Sequence, residues 1–342
     1  MIRVAADKLA DLIAAVCRRS GSEEDEAQLV ARHLVASNLA GHDSHGVGML
    51  PTYIDHALDG RLKLNAHAQV AQDSGPVLLV DGGMGHGHVI AYEAMQMGVA
   101  KAREHGLALV GLRNSHHIGR IGAWGEMCAE AGFISIHWVN AMAHKAIVAP
   151  WGGTDARFVT NPYCTAIPAT DGGPPIILDF ATSKIAMGKV RVAFNKGVEV
   201  PPESLIDDKG QPTNDPGVMF REPRGALLSM GQHKGYGLAM ICDVLAGALT
   251  GGGAYLPERA ARETVQNNML TVIVDPNVFG DAEGFRREID AYIAWVKASP
   301  PQEGAGEVMA PGDPERKSRA ERGASGVPID ERTWEELVAA AA

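Results

Sequence analysis

The patterns that usually identify an enzyme's cofactor or nucleophile are missing from this 342-residue chain. A dinucleotide fold normally carries G-x-G-x-x-G between a strand and a helix, where amides and a helix terminus can meet a pyrophosphate. The nearest approach, Gly83-Met84-Gly85, has His88 where the third glycine belongs. The phosphate-cradling G-x-x-x-x-G-K-[ST] also fails, because Gly188-Lys189 is followed by Val190 and Ser183 stands where the first glycine is needed. Neither H-E-x-x-H nor G-x-S-x-G occurs, which removes the common zinc-protease and serine-hydrolase patterns. Cysteine is scarce: Cys17, Cys128, Cys164 and Cys242 form no C-x-x-C pair. Buried free thiols are therefore expected, and a disulfide framework is not.

Excess positive charge is missing too. Lys and Arg number 31 against 41 Asp and Glu, a net charge of −10, which argues against a nucleic-acid or anionic-membrane partner. The densest basic stretch, ERKSRAER (Glu315–Arg322), is interrupted by glutamates and reads as a solvated segment. No apolar run is long enough to span a bilayer, and charges are threaded through the apolar N-terminus where a signal peptide would have none. A cytoplasmic protein without a membrane span is the expectation.

Periodicity is what the chain does have. Leu9, Leu12, Ile13 and Val16 recur at helical spacing, and Gly21 closes that helix. Ser22 with Asp25 predicts a capping box for a second helix carrying Val30, Leu34 and Val35. Residues 1–75 read as helical. From Gly75 onward, strands such as PVLLVD, LALVGL, FISIHWV, YCTAIP, PIILDF and MLTVIVD alternate unevenly with helices, one of them beginning near Lys234. That mixture predicts a mixed α/β domain over 76–283 and not a doubly wound sheet. Residues 284–342 predict an amphipathic helix (Phe285, Ile289, Tyr292, Ile293), then a long extended Pro/Gly/charge-rich arm, then a last helix capped by Asp330.

Histidine is where chemistry concentrates: His42 with His45, His86 with His88, and His116 with His117. No carboxylate or thiolate stands at ligand spacing beside any pair, so no metal is expected. An imidazole can instead hand a proton to a carbonyl oxygen that gains charge, while a cation holds a nearby carboxylate. Arg120, three residues after His117 at a helix start, suits the second task. The residues alone leave this reading level with a hydrogen-bonded structural pair.

Six ordered segments narrow the choice: DSHGVGMLPTYI (Asp43–Ile54), NSHHIGRIG (Asn114–Gly122), VTNPYCTAIP (Val159–Pro168), LDFATS (Leu178–Ser183), IDDKGQPTNDP (Ile206–Pro216) and HKGYGL (His233–Leu238). Together they resemble the second-type malate/L-lactate dehydrogenase family, whose fold is unrelated to the Rossmann dehydrogenases. The resemblance implies a homodimer, a non-Rossmann NAD(P)-binding domain with a largely antiparallel sheet, and a helical domain built from both chain termini.

It also implies roles. His117 would be the proton donor. Ser44 and His45 would line the substrate pocket beside His116, and Asp207 would orient a pocket histidine unless it is a turn acid. Asn140, Thr160, Asn161, Asp179, Phe180, Ala181, Thr182 and Lys234 would hold NAD or NADP, with Gly312 and Arg316 near the adenosine half. Where many members carry a carboxylate-binding arginine, this chain has Met49, so Arg120 is expected to take the carboxylate and Met49 to favour an apolar, phenylpyruvate-like tail. The implied activity is reversible reduction of 2-oxo acids to 2-hydroxy acids. Malate/lactate-type or ureidoglycolate-type oxidation, cyclic imine reduction and non-catalytic binding of a small acid are the alternatives.

Overall fold

The computed structural model describes residues 1–142, 145–260, 264–304 and 306–341. A seven-stranded sheet organises the middle of the chain: β2 (Gln69–Ser74), β3 (Val77–Asp81), β4 (Leu107–His116), β5 (Ile134–Met142), β6 (Pro162–Ile167), β7 (Ile176–Ala181) and β11 (Gln266–Val274), in the order β2-β3-β4-β11-β5-β6-β7. Only β3 and β4 pair in parallel; every other pairing within this sheet is antiparallel. The mixed α/β, largely antiparallel architecture expected from the sequence is present. Val110, Leu112, Val139, Ala166 and Ile273 lie buried along it and pack against Ile90, Ala94 and Met95 of α4 (Gly87–His105) and Trp124 of α5 (Gly122–Glu130).

A second core joins the two ends of the chain. Leu9, Ile13 and Val16 of α1 (Ala6–Arg19) and Val30 and Leu34 of α2 (Glu24–Leu39) pack with Leu50 and Tyr53 of α3 (Leu50–Leu58) and with Leu337 of α11 (Glu331–Ala341). The short strands β1 (Ile2–Val4) and β12 (Val327–Ile329) pair antiparallel and tie the termini together. Beyond the main sheet, β8 (Leu205–Ile206), β9 (Pro212–Thr213) and β10 (Ala226–Leu227) form a small three-stranded sheet. It lies near α6 (Met187–Lys196), and α7 (His233–Cys242) runs on into a π-helical stretch, Asp243–Leu249. A short α8 (Pro257–Ala260) and the amphipathic α9 (Ala282–Lys297) complete this part.

Three local expectations are corrected. Residues 313–325 of the expected extended arm form a helix, α10 (Asp313–Ser325), started by Pro314 in its first turn. Its charges are engaged elsewhere in the fold: Glu315 with His42, Arg319 with Glu126, and Arg322 with Asp43. The Ser22 capping box does not form, since the Ser22 hydroxyl donates to Glu26 and α2 starts after Glu23 with no side-chain cap. Finally β2, inside the stretch read as helical, is a wholly exposed edge strand, whose polar sequence offers no buried face for a period to reveal. Asp330 does cap the last helix, accepting from the Thr333 N–H at 2.9 Å.

Candidate active site

β4 ends at His116 and His117 follows it directly, and neighbouring positions along an extended chain face opposite ways. That geometry separates them. His116 is 0% exposed, and its Nε2 lies 2.8 Å from His56 Nδ1 of α3. His117 is only half-buried; its Nδ1 lies 2.6 Å from the Tyr53 hydroxyl, one turn before His56 on the same helix. No partner for His117 Nε2 exists among the described residues. A Cβ on Gly87 would stand 2.1 Å from the His117 carbonyl oxygen, so only glycine lets α4 start against this backbone.

Facing His117 is His45, its ring stacked at 5.5 Å between centroids and 20° between planes. His45 ends the short 3-10 turn Asp43–His45, and its Nδ1 meets the Ser44 hydroxyl at 2.9 Å. The buried Asn38 of α2 holds this turn, donating to Asp43 at 2.7 Å and accepting from the Val47 N–H at 2.8 Å. Burial pushes the His117 pKa well below its usual value, and His45, His116 and His86 add to that by repulsion. His45 is lowered to about 4, first by burial and then by His42 and Arg120. Burial likewise takes His116 down to about 3. The facing imidazoles are therefore neutral at pH 7. An anion arriving between them would favour proton uptake.

Close by lies a cleft of about 550 Å³ lined by Trp151, Lys184, Ser229, Gln232, Lys234 and Tyr236 among others. Ser229 bridges to Ser183, five residues before Gly188, and a Cβ on Gly188 would lie 3.5 Å from Ser44. The cleft thus opens one short segment away from the histidine pair. Lys234, exposed at the start of α7, has no side-chain hydrogen-bond or ion-pair partner among the described residues. The Ser229 hydroxyl is buried without a partner, an unsatisfied state that costs free energy until a ligand fills it.

Other residues singled out from the sequence are occupied within the protein. Arg120 is 2% exposed, hydrogen-bonded to Glu126, with Asp179 3.9 Å away. Arg319 of α10 closes on both Glu126 oxygens at 2.8 Å. Asp179 also accepts from the Gly122 N–H at 2.8 Å, and burial raises its pKa despite Arg120. The Asp207 carboxylate accepts from the Lys209 and Gln211 N–H groups at 2.9 and 2.8 Å. It makes turn geometry and has no histidine partner among the described residues.

Asn140 donates to Asp243 and to the Gly253 carbonyl and accepts from Asn268. Asn161 accepts from the Ala141 N–H and donates to the Ala239 carbonyl, and the Thr182 hydroxyl donates to the Asn161 carbonyl. Thr160 is half-buried in the loop before β6, the Phe180 ring leans on Tyr163, and Ala181 pairs with Pro162. Arg316 donates to the Pro175 carbonyl and Asp313, beside the left-handed Gly312. Met49 is half-buried against the terminal-helix core. The sequence reading missed Tyr53 and His56, although their spacing of three on a helix puts both on one face.

Against known proteins, the family model for malate/L-lactate dehydrogenases matches residues 4–338. The chain belongs to the malate/L-lactate dehydrogenase family. Hydroxycarboxylate dehydrogenase B of Escherichia coli K12 is 47% identical over 99% of this chain and 93% of its own. L-lactate dehydrogenase of Cupriavidus necator is 40% identical over 87% of this chain and 85% of its own. The solved Δ1-piperideine-2-carboxylate reductase of Pseudomonas syringae superposes with a TM-score of 0.86 at 28% identity, covering 99% of this chain and 100% of that one. As a malate/L-lactate dehydrogenase family member, the protein is an oxidoreductase acting on hydroxy acids.

Proposed function

We propose that the protein reduces 2-oxo acids to 2-hydroxy acids, reversibly, with NADH or NADPH, and that His117 gives the proton to the carbonyl oxygen. The observation carrying this reading is the Tyr53–His117 contact, which occupies Nδ1 at 2.6 Å and leaves Nε2 without a partner among the described residues. The cleft fits a dinucleotide: Lys234 supplies a cation for phosphate, Ser229 a waiting hydroxyl, and Trp151 an exposed flat wall.

A bound reduced nicotinamide would supply the hydride. The residues do the rest. Ser44 and His45 border the reacting centre, and the substrate carboxylate, arriving as an anion, favours the charged form of His117. The Nε2 proton then passes to the oxygen as the carbonyl carbon is reduced. Arg120 is buried and its Nη2 is paired with Glu126, so the carboxylate contact is not assigned to it, although its Nε and Nη1 have no hydrogen-bond partner among the described residues. The turn hydrogen bonds of Asp207 and the internal ones of Asn140, Asn161 and Thr182 likewise argue for structural work by those side chains.

The helical part, built from both chain ends, would carry Tyr53 and His45, and the sheet part His117 and the cleft. Ile241 and Val244 after the start of α7, with Tyr292 and Trp295 of α9, are exposed; we assign these faces to a homodimer contact. A cytoplasmic setting belongs to the same proposal, and among the described residues no helix is long and apolar enough to cross a membrane.

Oxidation of NADH and of NADPH against pyruvate, phenylpyruvate, oxaloacetate, 2-oxoglutarate and a cyclic imino acid tests the reading. Preference for phenylpyruvate supports the Met49 argument, and oxaloacetate alone discards it. Turnover confined to the imino acid would transfer the protein to cyclic imine reduction, the activity named for the Pseudomonas syringae neighbour.

A further inference from the structure

We infer that Tyr53 is a positioning residue that decides which ring nitrogen of His117 faces the substrate and which tautomer the resting enzyme holds. The inference rests on the proposed role of His117 and adds a residue to it.

Tyr53 is 2% exposed, and its hydroxyl has one hydrogen-bond partner among the described residues, His117 Nδ1 at 2.6 Å. A buried hydroxyl proton left unbonded is costly, so the hydroxyl donates wherever an acceptor exists. In a neutral imidazole, Nδ1 accepts only when the ring proton sits on Nε2. Burial raises the Tyr53 pKa, so the phenol keeps its proton, and burial lowers that of His117, so the resting ring is neutral. Both conditions that fix the tautomer are met.

The Tyr53 ring cannot easily swing aside. Three imidazoles surround it: His86 at 5.3 Å and 77°, His88 at 5.6 Å and 67°, and His116 at 5.7 Å and 83°. His116 is itself fixed through His56, which shares α3 with Tyr53. The second histidine of the pair therefore acts as part of the cage and not as a second donor.

A hydroxyl is also suited to a group that changes charge. It donates to Nδ1 of the resting neutral ring and accepts from Nδ1–H of the imidazolium, and of the neutral ring left once Nε2 has given up its proton. A carboxylate in its place would hold the ring charged throughout. Tyr53 can thus support both protonation states without favouring the charged one.

The test is a long-range 1H–15N spectrum of the full-length protein labelled with 15N-histidine, at neutral pH, with His117 identified by its loss in His117→Gln. The expected wild-type pattern is a protonated Nε2 and an unprotonated Nδ1. In Tyr53→Phe, which keeps the ring and the volume, that preference is expected to disappear. Its kcat for 2-oxo acid reduction should fall roughly tenfold to a hundredfold, with KM for the acid within about threefold of wild type, as binding contacts are untouched. A wild-type ring protonated on Nδ1 overturns the inference without any variant. So does a Tyr53→Phe enzyme that loses kcat while its His117 tautomer is unchanged, since Tyr53 would then only pack. If His117→Gln retains full turnover, the proposed function fails, while the tautomer result still stands or falls on the spectrum.

Discussion

Arg322 holds Asp43 with two hydrogen bonds, at 2.6 and 3.1 Å, across 279 residues of chain. The same guanidinium donates to the Asn38 carbonyl at 2.6 Å, so α10 clamps the turn that presents Ser44 and His45. We expect Arg322→Ala to raise KM for the 2-oxo acid several-fold by loosening that turn. Because Asp43 is half exposed at its side chain, the stability change should stay within about 1 kcal/mol. Steady-state kinetics beside a denaturant titration separates the two effects.

Arg120, Glu126 and Arg319 form a charge group in which removal of the middle member leaves the buried Arg120 with Asp179 alone, 3.9 Å away. Glu126→Ala should therefore destabilise the fold by roughly 3 kcal/mol. Arg120→Ala should likewise lower stability, through the buried Asp179 left without its cation, with KM for the acid little changed in the folded fraction. A large rise in KM at unchanged thermal stability would restore Arg120 as the carboxylate anchor.

Acid should unfold this protein through its histidines. The folded-state pKa values of His33, His45, His86, His88, His116 and His117 are all lowered, chiefly by burial, while in the unfolded chain each returns to about 6.5. The unfolded state thus binds more protons below that pH, and stability must rise with pH there. The histidine contribution is fully present above pH ~6.5 and is lost as pH falls toward the lowered folded values, about 4 for His45 and about 3 for His86 and His116. Each net proton makes the slope about 1.4 kcal/mol per pH unit. A melting temperature that drops between pH 7.5 and 5.5 is the expected result; a flat profile contradicts it.

Lys234→Gln should raise KM for the nicotinamide nucleotide about tenfold or more, the worth of one charge-assisted contact, and leave the KM for the acid near its wild-type value. Fluorescence titration of NADH and NADPH into the variant gives the same quantity without turnover. Unchanged affinity for both nucleotides would move the dinucleotide out of the α7 cleft.

Much of this was legible in the sequence because periodic segments are short-range statements. Leu9, Ile13 and Val16 mark α1 within one chain segment, and the sheet strands carry their own apolar runs. The misses are long-range. Nothing within ERKSRAER marks a helix face, because Glu315, Arg319 and Arg322 find their partners in His42, Glu126 and Asp43, 193 to 279 residues away. The internal partners of Asn140 and Asn161 were hidden for the same reason: Asp243, Gly253 and Ala239 come from a distant helix and loop. His116 and His117 were equivalent as letters and became different only when β4 turned one inward and α3 set Tyr53 against the other.

The most direct measurement of the central claim is the single-turnover rate of reduced-nicotinamide oxidation by the His117→Ala enzyme with saturating 2-oxo acid, compared with wild type. Loss of the proton donor predicts a rate lower by roughly a hundredfold to ten-thousandfold, with nucleotide binding retained. A rate within a few-fold of wild type would contradict the account, and the proton would have to come from somewhere other than the ring that Tyr53 holds.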